Sequence, residues 1–472
     1  MRRIVFLLLA LISLARFAPA AARPHYGGTL RVEMQSAPAN LELPSISSPT
    51  DYWNISRILS LIGDNLVTID AEDHLHPALA LKWERDSAAR HWQFTLRQGV
   101  KFHDGTRASA GAIAQFLGGL HPDWEIQAST DSLTIDLEAA NPLLLAELAL
   151  PANLILLRNG KGLPIGTGPF RVVDFEPGKH LKLAAVEDCW SGRPFLDAIE
   201  IELGKSPRDQ ALALELGRVD LIEAAPQAAN SSALLHTSLP VELLTLVFPP
   251  NSKAQHPHLR EALALAIDRK PIQSVLLKGA AEPSATLLPN WMTGYSVAFS
   301  TQPDIKRAKA LLAESQNSLK VNQLTVSPLL LSYDPRDPQS QLIAERIALN
   351  AREAGIIVQV SLSGAADIQL VRLALPTPDP VLALREVAGR LALPAPVFHG
   401  TNIRDSSIED LYQAERALLE TTRVIPLFHL PVASAVAPRV HSWDPDLLGS
   451  WNLANLWLES VRSDIPRPES SR

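Results

Sequence analysis

Residues 76–105 read HPALALKWERDSAARHWQFTLRQGVKFHDG. Within this stretch Trp92, Phe94 and Leu96 alternate with Gln93, Thr95 and Arg97. A period of two predicts a half-buried strand, and His103-Asp104-Gly105 ends it with a turn signal. The alternation recurs over Ser132–Leu137, and Gly27-Gly28 turns into a first strand at Thr29–Met34. Further along the period changes. Leu259, Leu263 and Ile267 fall on one face of a helix, and Pro271 and Gly279 suit the start and end of the next. Ser406-x-x-Glu409 has the form of a capping box ahead of Ile408, Leu411, Tyr412 and Leu418. Residues 324–361 form the clearest unit: a strand over 324–333, a helix over 339–354 with Ile343, Ile347 and Ala351 on one face, Gly355 as its stop, then Ile356, Val358 and Val360 alternating. Strand, helix, strand implies a parallel pair with a right-handed crossover. The chain therefore reads as α/β.

Composition narrows the function classes. The chain has 472 residues, 46% of them hydrophobic, enough for two or three cores. The formal charge of −7 comes without a basic run, which argues against nucleic-acid binding. Cys189 is the sole cysteine, so no intramolecular disulfide and no cysteine-based metal cluster is expected. Proline, at 37 residues, outnumbers glycine, at 23, which stiffens loops. At the start, Arg2-Arg3, the apolar run Ile4–Leu14 and small residues at Ala18-Pro19-Ala20 and Ala20-Ala21-Ala22 have the form of a cleavable signal peptide, taken as 1–22. The run is shorter than the roughly 20 residues a membrane helix needs. Arg2-Arg3 raises twin-arginine export, but the residues after it favour general secretion. With no cysteine at the cleavage site, a lipid anchor there is excluded, and the expected compartment is the periplasm.

Enzyme signatures are absent from the sequence: no G-x-S-x-G elbow, no H-E-x-x-H and no phosphate loop. Gly160-Lys161-Gly162 has the wrong spacing to cradle phosphate. His74, His76 and His103 lack carboxylates at ligand spacing and read as structural. His399 is the histidine left open for a role with nickel. No metal site and no cofactor are expected.

Further blocks follow the opening one in a fixed order: Gly166-Thr167-Gly168-Pro169-Phe170, Glu176-Pro177-Gly178, Trp190-x-Gly192-x-Pro194-Phe195-Leu196-Asp197, Gly217-Arg218-Val219-Asp220, Leu259-Arg260-x-Ala262 through Ala266-Ile267-Asp268-Arg269, and Ile425-Pro426-Leu427-Phe428. With the 76–105 stretch, this series resembles the periplasmic solute-binding proteins that serve peptide and nickel importers of the ATP-binding-cassette type. The resemblance implies a two-lobed periplasmic-binding-protein fold of the large, type II, peptide-binding class. Lobe I would comprise 25–48, 163–242 and 440–466, with an extra subdomain, 49–162, inserted in it; lobe II would be 243–439. It also implies a monomer, not an enzyme, that captures a peptide or similar small solute by hinge closure and delivers it to a membrane permease and ATPase. A sensor reporting a solute to a membrane receptor, and a secreted hydrolase, are the alternatives.

The resemblance also suggests cleft residues. The segment after the first strand brings Asp51, Tyr52 and Trp53, an aromatic pair beside a carboxylate, suited to stacking on a ligand and anchoring an amine. Trp53 equally suits packing inward with Ile58, at the head of a helix over 53–62. Trp291 lies in a cleft loop, and Arg372 suits either a ligand carboxylate or an ion pair. Asp379 matches an Asp-Pro of the family pattern. Departures are evident. Pro376 stands where peptide-binding relatives place an amine-pairing aspartate. Glu187-Asp188-Cys189-Trp190 and Pro249-Pro250-Asn251 break two further blocks, and the chain is short around 120–130 and 390–408. These leave the identity of the ligand open.

Overall fold

A ladder of strands runs through both halves of the molecule. The computed structural model describes residues 24–45, 47–226, 233–295, 299–319, 328–362, 366–398 and 407–459. The leader 1–22, residues 324–327, His399 and Ser406 lie outside the described residues. Thr29–Glu33 buries Leu30 and Val32 and pairs in parallel with Ala198–Glu202 on one side and Leu221–Ala224 on the other. From these the sheet continues outward through His180–Ala185 to Phe170–Glu176. In the other direction it runs through Val424–Val436, Leu234–Val247, Ile368–Ala374 and Leu329–Ser332 to Val358–Ser361. The last two strands are parallel and joined by the helix Pro338–Glu353, which Gly355 ends at φ 90°. This is the strand–helix–strand unit read from the sequence.

Among the described residues three apolar cores are the largest. The first gathers Leu30, Val32, Phe170, Ile199, Leu221 and Val436. The second gathers Leu244, Leu263, Ile343, Ile347, Ile425 and Phe428. The third lies under a four-stranded antiparallel sheet, ordered Ala80–Arg85, His91–Leu96, Ser132–Asp136, Glu125–Ala128. Trp92 and Phe94 of the opening stretch sit at its centre, 2% and 0% exposed. Burying a large apolar side chain contributes about 1.5–3 kcal/mol, so the alternation of this strand is itself a source of stability.

The signature blocks pin this unit to the first core. The His103 ring donates from Nε2 to the Gly168 carbonyl at 3.0 Å and accepts at Nδ1 from the Gly166 amide. Asp64 accepts from Thr167 Oγ1 at 2.7 Å and from Trp190 Nε1 at 2.9 Å. Gly166 and Gly168 lie against the end of the helix Pro49–Ile62; a Cβ on Gly166 would sit 2.0 Å from the Ile62 carbonyl oxygen. That helix starts at Pro49, four residues before the start expected at Trp53, because proline at its first position suits the fixed φ of an N-terminus. It gives Ile55, Ile58 and Ile62 to the first core.

Two long antiparallel strands, Leu234–Val247 and Val424–Val436, pass from the first core into the second. Pro240 stands opposite Pro431, with register shifts on both sides. Around that level the backbone bonds leave the ladder. Leu239 N–H donates to Leu447 O and Val432 N–H donates to Ser238 Oγ. The Pro240 carbonyl accepts from Trp291 Nε1 at 2.8 Å.

One cap differs from expectation. Ser407, not Ser406, caps the helix Ile408–Leu419, and its reciprocal partner is Asp410 rather than Glu409. The shorter Asp side chain still reaches the Ser407 amide, at 3.2 Å.

Candidate functional site

The six expected cleft residues are each engaged in a different way. Asp51 lies in the first turn of Pro49–Ile62, where a negative charge suits the helix N-terminus. Its carboxylate accepts from Ser36 Oγ at 2.9 Å and Ser48 Oγ at 2.7 Å. From the second lobe Arg336 donates to it at 2.9 Å, and the same guanidinium holds Asp334. Asp51 is thus a link between lobes. Trp53 is 6% exposed, and its Nε1 donates to Glu242 Oε1 at 3.0 Å. Glu242 is 2% exposed and takes Arg372 on its other oxygen, Nε at 2.6 Å, with Nη2 on the same atom. Arg372 Nη1 lies 3.5 Å from Asp337. Burial pushes the Glu242 carboxyl up; Arg372 and the Trp53 indole pull it back. Arg372 is therefore spent on an ion pair inside the protein.

Trp291 packs with Tyr52, Trp53, Val241 and Ala374 in a small apolar cluster. Its loop is tied down from beneath. Glu415, fully buried, accepts from the amides of Leu287 at 2.5 Å and Leu288 at 2.9 Å, and from the Tyr295 hydroxyl at 2.6 Å. Burial outweighs these donors and pushes its carboxyl up to about 7. The His429 ring lies 3.2 Å from the Leu287 carbonyl, and burial pulls it down to about 4. Asp379 is 2% exposed and caps the helix Pro380–Arg390, accepting from Leu382 N at 2.8 Å.

Of the six expected residues, only Tyr52 lines the large cavity here, of about 960 Å³. Its ring stands edge-on to Trp53, with centroids 5.6 Å apart. Pro376, Phe116, Leu150, Glu386 and Arg390 share the wall. Leu143 and Ala146, from the segment after the four-stranded sheet, pack on Val381 and Leu382 of the Pro380–Arg390 helix. Sequence reading missed Glu242, although a lone acid in the apolar run Val241–Val247 was a signal. It also missed Arg336, Glu386 and Arg390, which carry no local signal apart from solvated surface charge. Among the described residues no group of His, Cys, Asp or Glu is placed to hold a metal, and no helix is long and apolar enough to cross a membrane.

Comparison with known proteins agrees with this geometry. The family model for bacterial extracellular solute-binding proteins, family 5, matches residues 74–373. The nickel-binding periplasmic protein of Escherichia coli (strain K12) is 27% identical over 410 residues, 77% of this chain and 75% of that one. The nickel-binding protein NikA of Staphylococcus aureus is 27% identical over 285 residues, 56% of this chain; the match spans 57% of that relative's length. Among solved structures, the dipeptide-binding protein from Pseudoalteromonas in complex with Met-Leu superposes with a TM-score of 0.75 at 16% identity, covering 92% of this chain and 100% of that one. The shared fold is the two-lobed, type II α/β binding fold.

Proposed function

Because the chain belongs to the bacterial extracellular solute-binding proteins of family 5, we propose that it captures a small solute between its lobes and hands it unaltered to a membrane importer. The observation that carries this reading is the cavity of about 960 Å³ walled by both lobes and the inserted unit. Ligand sites of about 300–1,000 Å³ bury most of a small molecule's surface. The lobes are taken as 25–48, 163–242 and 440–466 for the first, with 49–162 inserted, and 243–439 for the second. Closure is favoured only by the extra affinity of the solute for the closed form. Tyr52 faces the solute, Trp53 and Trp291 brace the wall behind it, and Asp51, with Arg336, links the lobe rims. A signal peptide at 1–22 directs export, and an ATP-binding-cassette permease and its ATPase are the partners. The relatives are named for nickel and for a dipeptide, so both cargo types head the panel of candidates.

The test is native mass spectrometry of protein isolated from its own periplasm, with thermal shift across dipeptides, tripeptides and nickel–histidine complexes. A true ligand at a hundred times its Kd adds about 2.7 kcal/mol of stability. A small molecule bound one to one and recovered intact is expected. Catalytic turnover of the bound molecule, or an empty cleft with no shift from any compound, refutes the reading.

A further inference from the structure

Arg372, which suits either a ligand carboxylate or an ion pair, is neutralised by Glu242 and Asp337. Two other arginines are not. A second cavity, of about 440 Å³, opens between Ser47 and Thr50 of the first lobe and Phe248, Arg390 and Arg423 of the second. Arg390 lines both cavities, so the two adjoin there. Neither Arg390 nor Arg423 has a hydrogen bond or ion pair from its guanidinium among the described residues. Of the acids in these walls, Asp334 holds Arg336, Asp337 holds Ser340 Oγ at 2.8 Å and caps its own helix, and Glu386 lies four residues before Arg390 and near Tyr52. Arg260, spent on three backbone carbonyls, adds a further positive charge near Arg423. The Arg390 and Arg423 guanidinium groups thus face this space with no carboxylate bound to either among the described residues. At the other end the Tyr52 side chain is 3% exposed and makes no hydrogen bond among the described residues. Burial and the nearby Glu386 push its hydroxyl up, so it stays protonated and able to donate.

We infer that the solute is an amphipathic anion: its apolar body lies against Tyr52, Phe116 and Leu150, and its carboxylate or phosphate reaches Arg390 and Arg423 where the cavities adjoin. Guanidinium groups suit both anions, through paired N–H donors. This inference rests on the interlobe cleft being the binding site.

The experiment uses matched probe pairs on the exported protein: N-acetyl-Ala-Phe with its C-terminal amide, and hexyl phosphate with hexanol. Binding is followed by calorimetry for the native protein and for the R390Q/R423Q double variant. Among the described residues neither guanidinium has a protein partner, so the variant is expected to keep the native thermal midpoint, which serves as the folding control. The expected result is binding of at least one anionic probe, ten- to a hundredfold weaker in the variant, with its neutral counterpart weak in both. The carboxylate and phosphate arms distinguish the two anion sources. Equal binding of charged and neutral members, or an anion affinity unchanged in the variant, overturns the inference while leaving solute capture intact. Failure of the native protein to bind any probe or any member of the panel above refutes both.

Discussion

Replacing Glu415 with glutamine changes the pH dependence of stability in a calculable way. The carboxyl is fully buried under the Trp291 loop, and its folded pKa is about 7 against 4.5 for the free side chain. A folded pKa raised above the unfolded one gives stability that is complete below about 4.5 and lost as pH rises through about 7. At about 1.4 kcal/mol per tenfold change in proton affinity, ionisation costs the native fold about 3 kcal/mol. Glutamine keeps an acceptor for the Leu287 and Leu288 amides and presents its NH₂ to the Tyr295 oxygen, with no charge to desolvate. Urea unfolding of the native protein and E415Q, followed by circular dichroism, should give similar stabilities at pH 5. At pH 8 the variant should be more stable by about 2–3 kcal/mol. The acid side should persist in both, because His429, pulled down to about 4, contributes stability present above about 6.5 and lost as pH falls through about 4. A variant less stable than the native protein at pH 8, or a difference independent of pH, would show that the amide donors rather than burial govern this carboxylate.

Other consequences are as direct. Gly166→Ala drives a Cβ to 2.0 Å from the Ile62 carbonyl and should cost more than about 2 kcal/mol in thermal unfolding. Gly118→Ala, mid-helix with nothing within 4 Å, should be neutral or stabilise by up to about 1 kcal/mol; the reverse order of the two midpoints refutes the packing argument. Asp220→Ala strips the partner from Arg31 and Arg439 at a carboxylate 1% exposed and should cost about 3–5 kcal/mol by urea unfolding. Leu143→Ala, at the contact of the inserted unit with Val381 and Leu382, should cost about 2–5 kcal/mol by the same assay.

Legibility in the sequence followed the range of the interactions. Trp92, Phe94 and Leu96 were readable because a strand's pleat and its burial share one period. Ile343, Ile347 and Ala351 were readable for the helical counterpart of that reason. The family blocks were readable because their contacts, such as His103 with Gly168 and Asp64 with Trp190, define the fold rather than the cargo. The site was harder. Tyr52 and Trp53 are neighbours with similar side chains, yet about 100° of helical rotation turns one to the cavity and the other to Glu242. The Glu242–Arg372 pair joins residues 130 apart through strand register, which no local pattern records. Arg390 and Arg423 resemble any solvated charge until the walls around them are known.

The paired prolines at 240 and 431 bear on how this molecule moves. An imino acid brings no amide proton, and of the amides beside them Val432 N–H donates to a side chain, Ser238 Oγ, and Leu239 N–H to Leu447 O outside the two strands. At that one level the backbone ladder of the two-stranded strap is interrupted, and a side-chain bond, Val432 N–H to Ser238 Oγ, stands in for it. Above and below it the full ladder keeps each half stiff. Any swivel of the strap is thus easiest at that seam, where fewer ladder bonds resist torsion than in the pleat on either side.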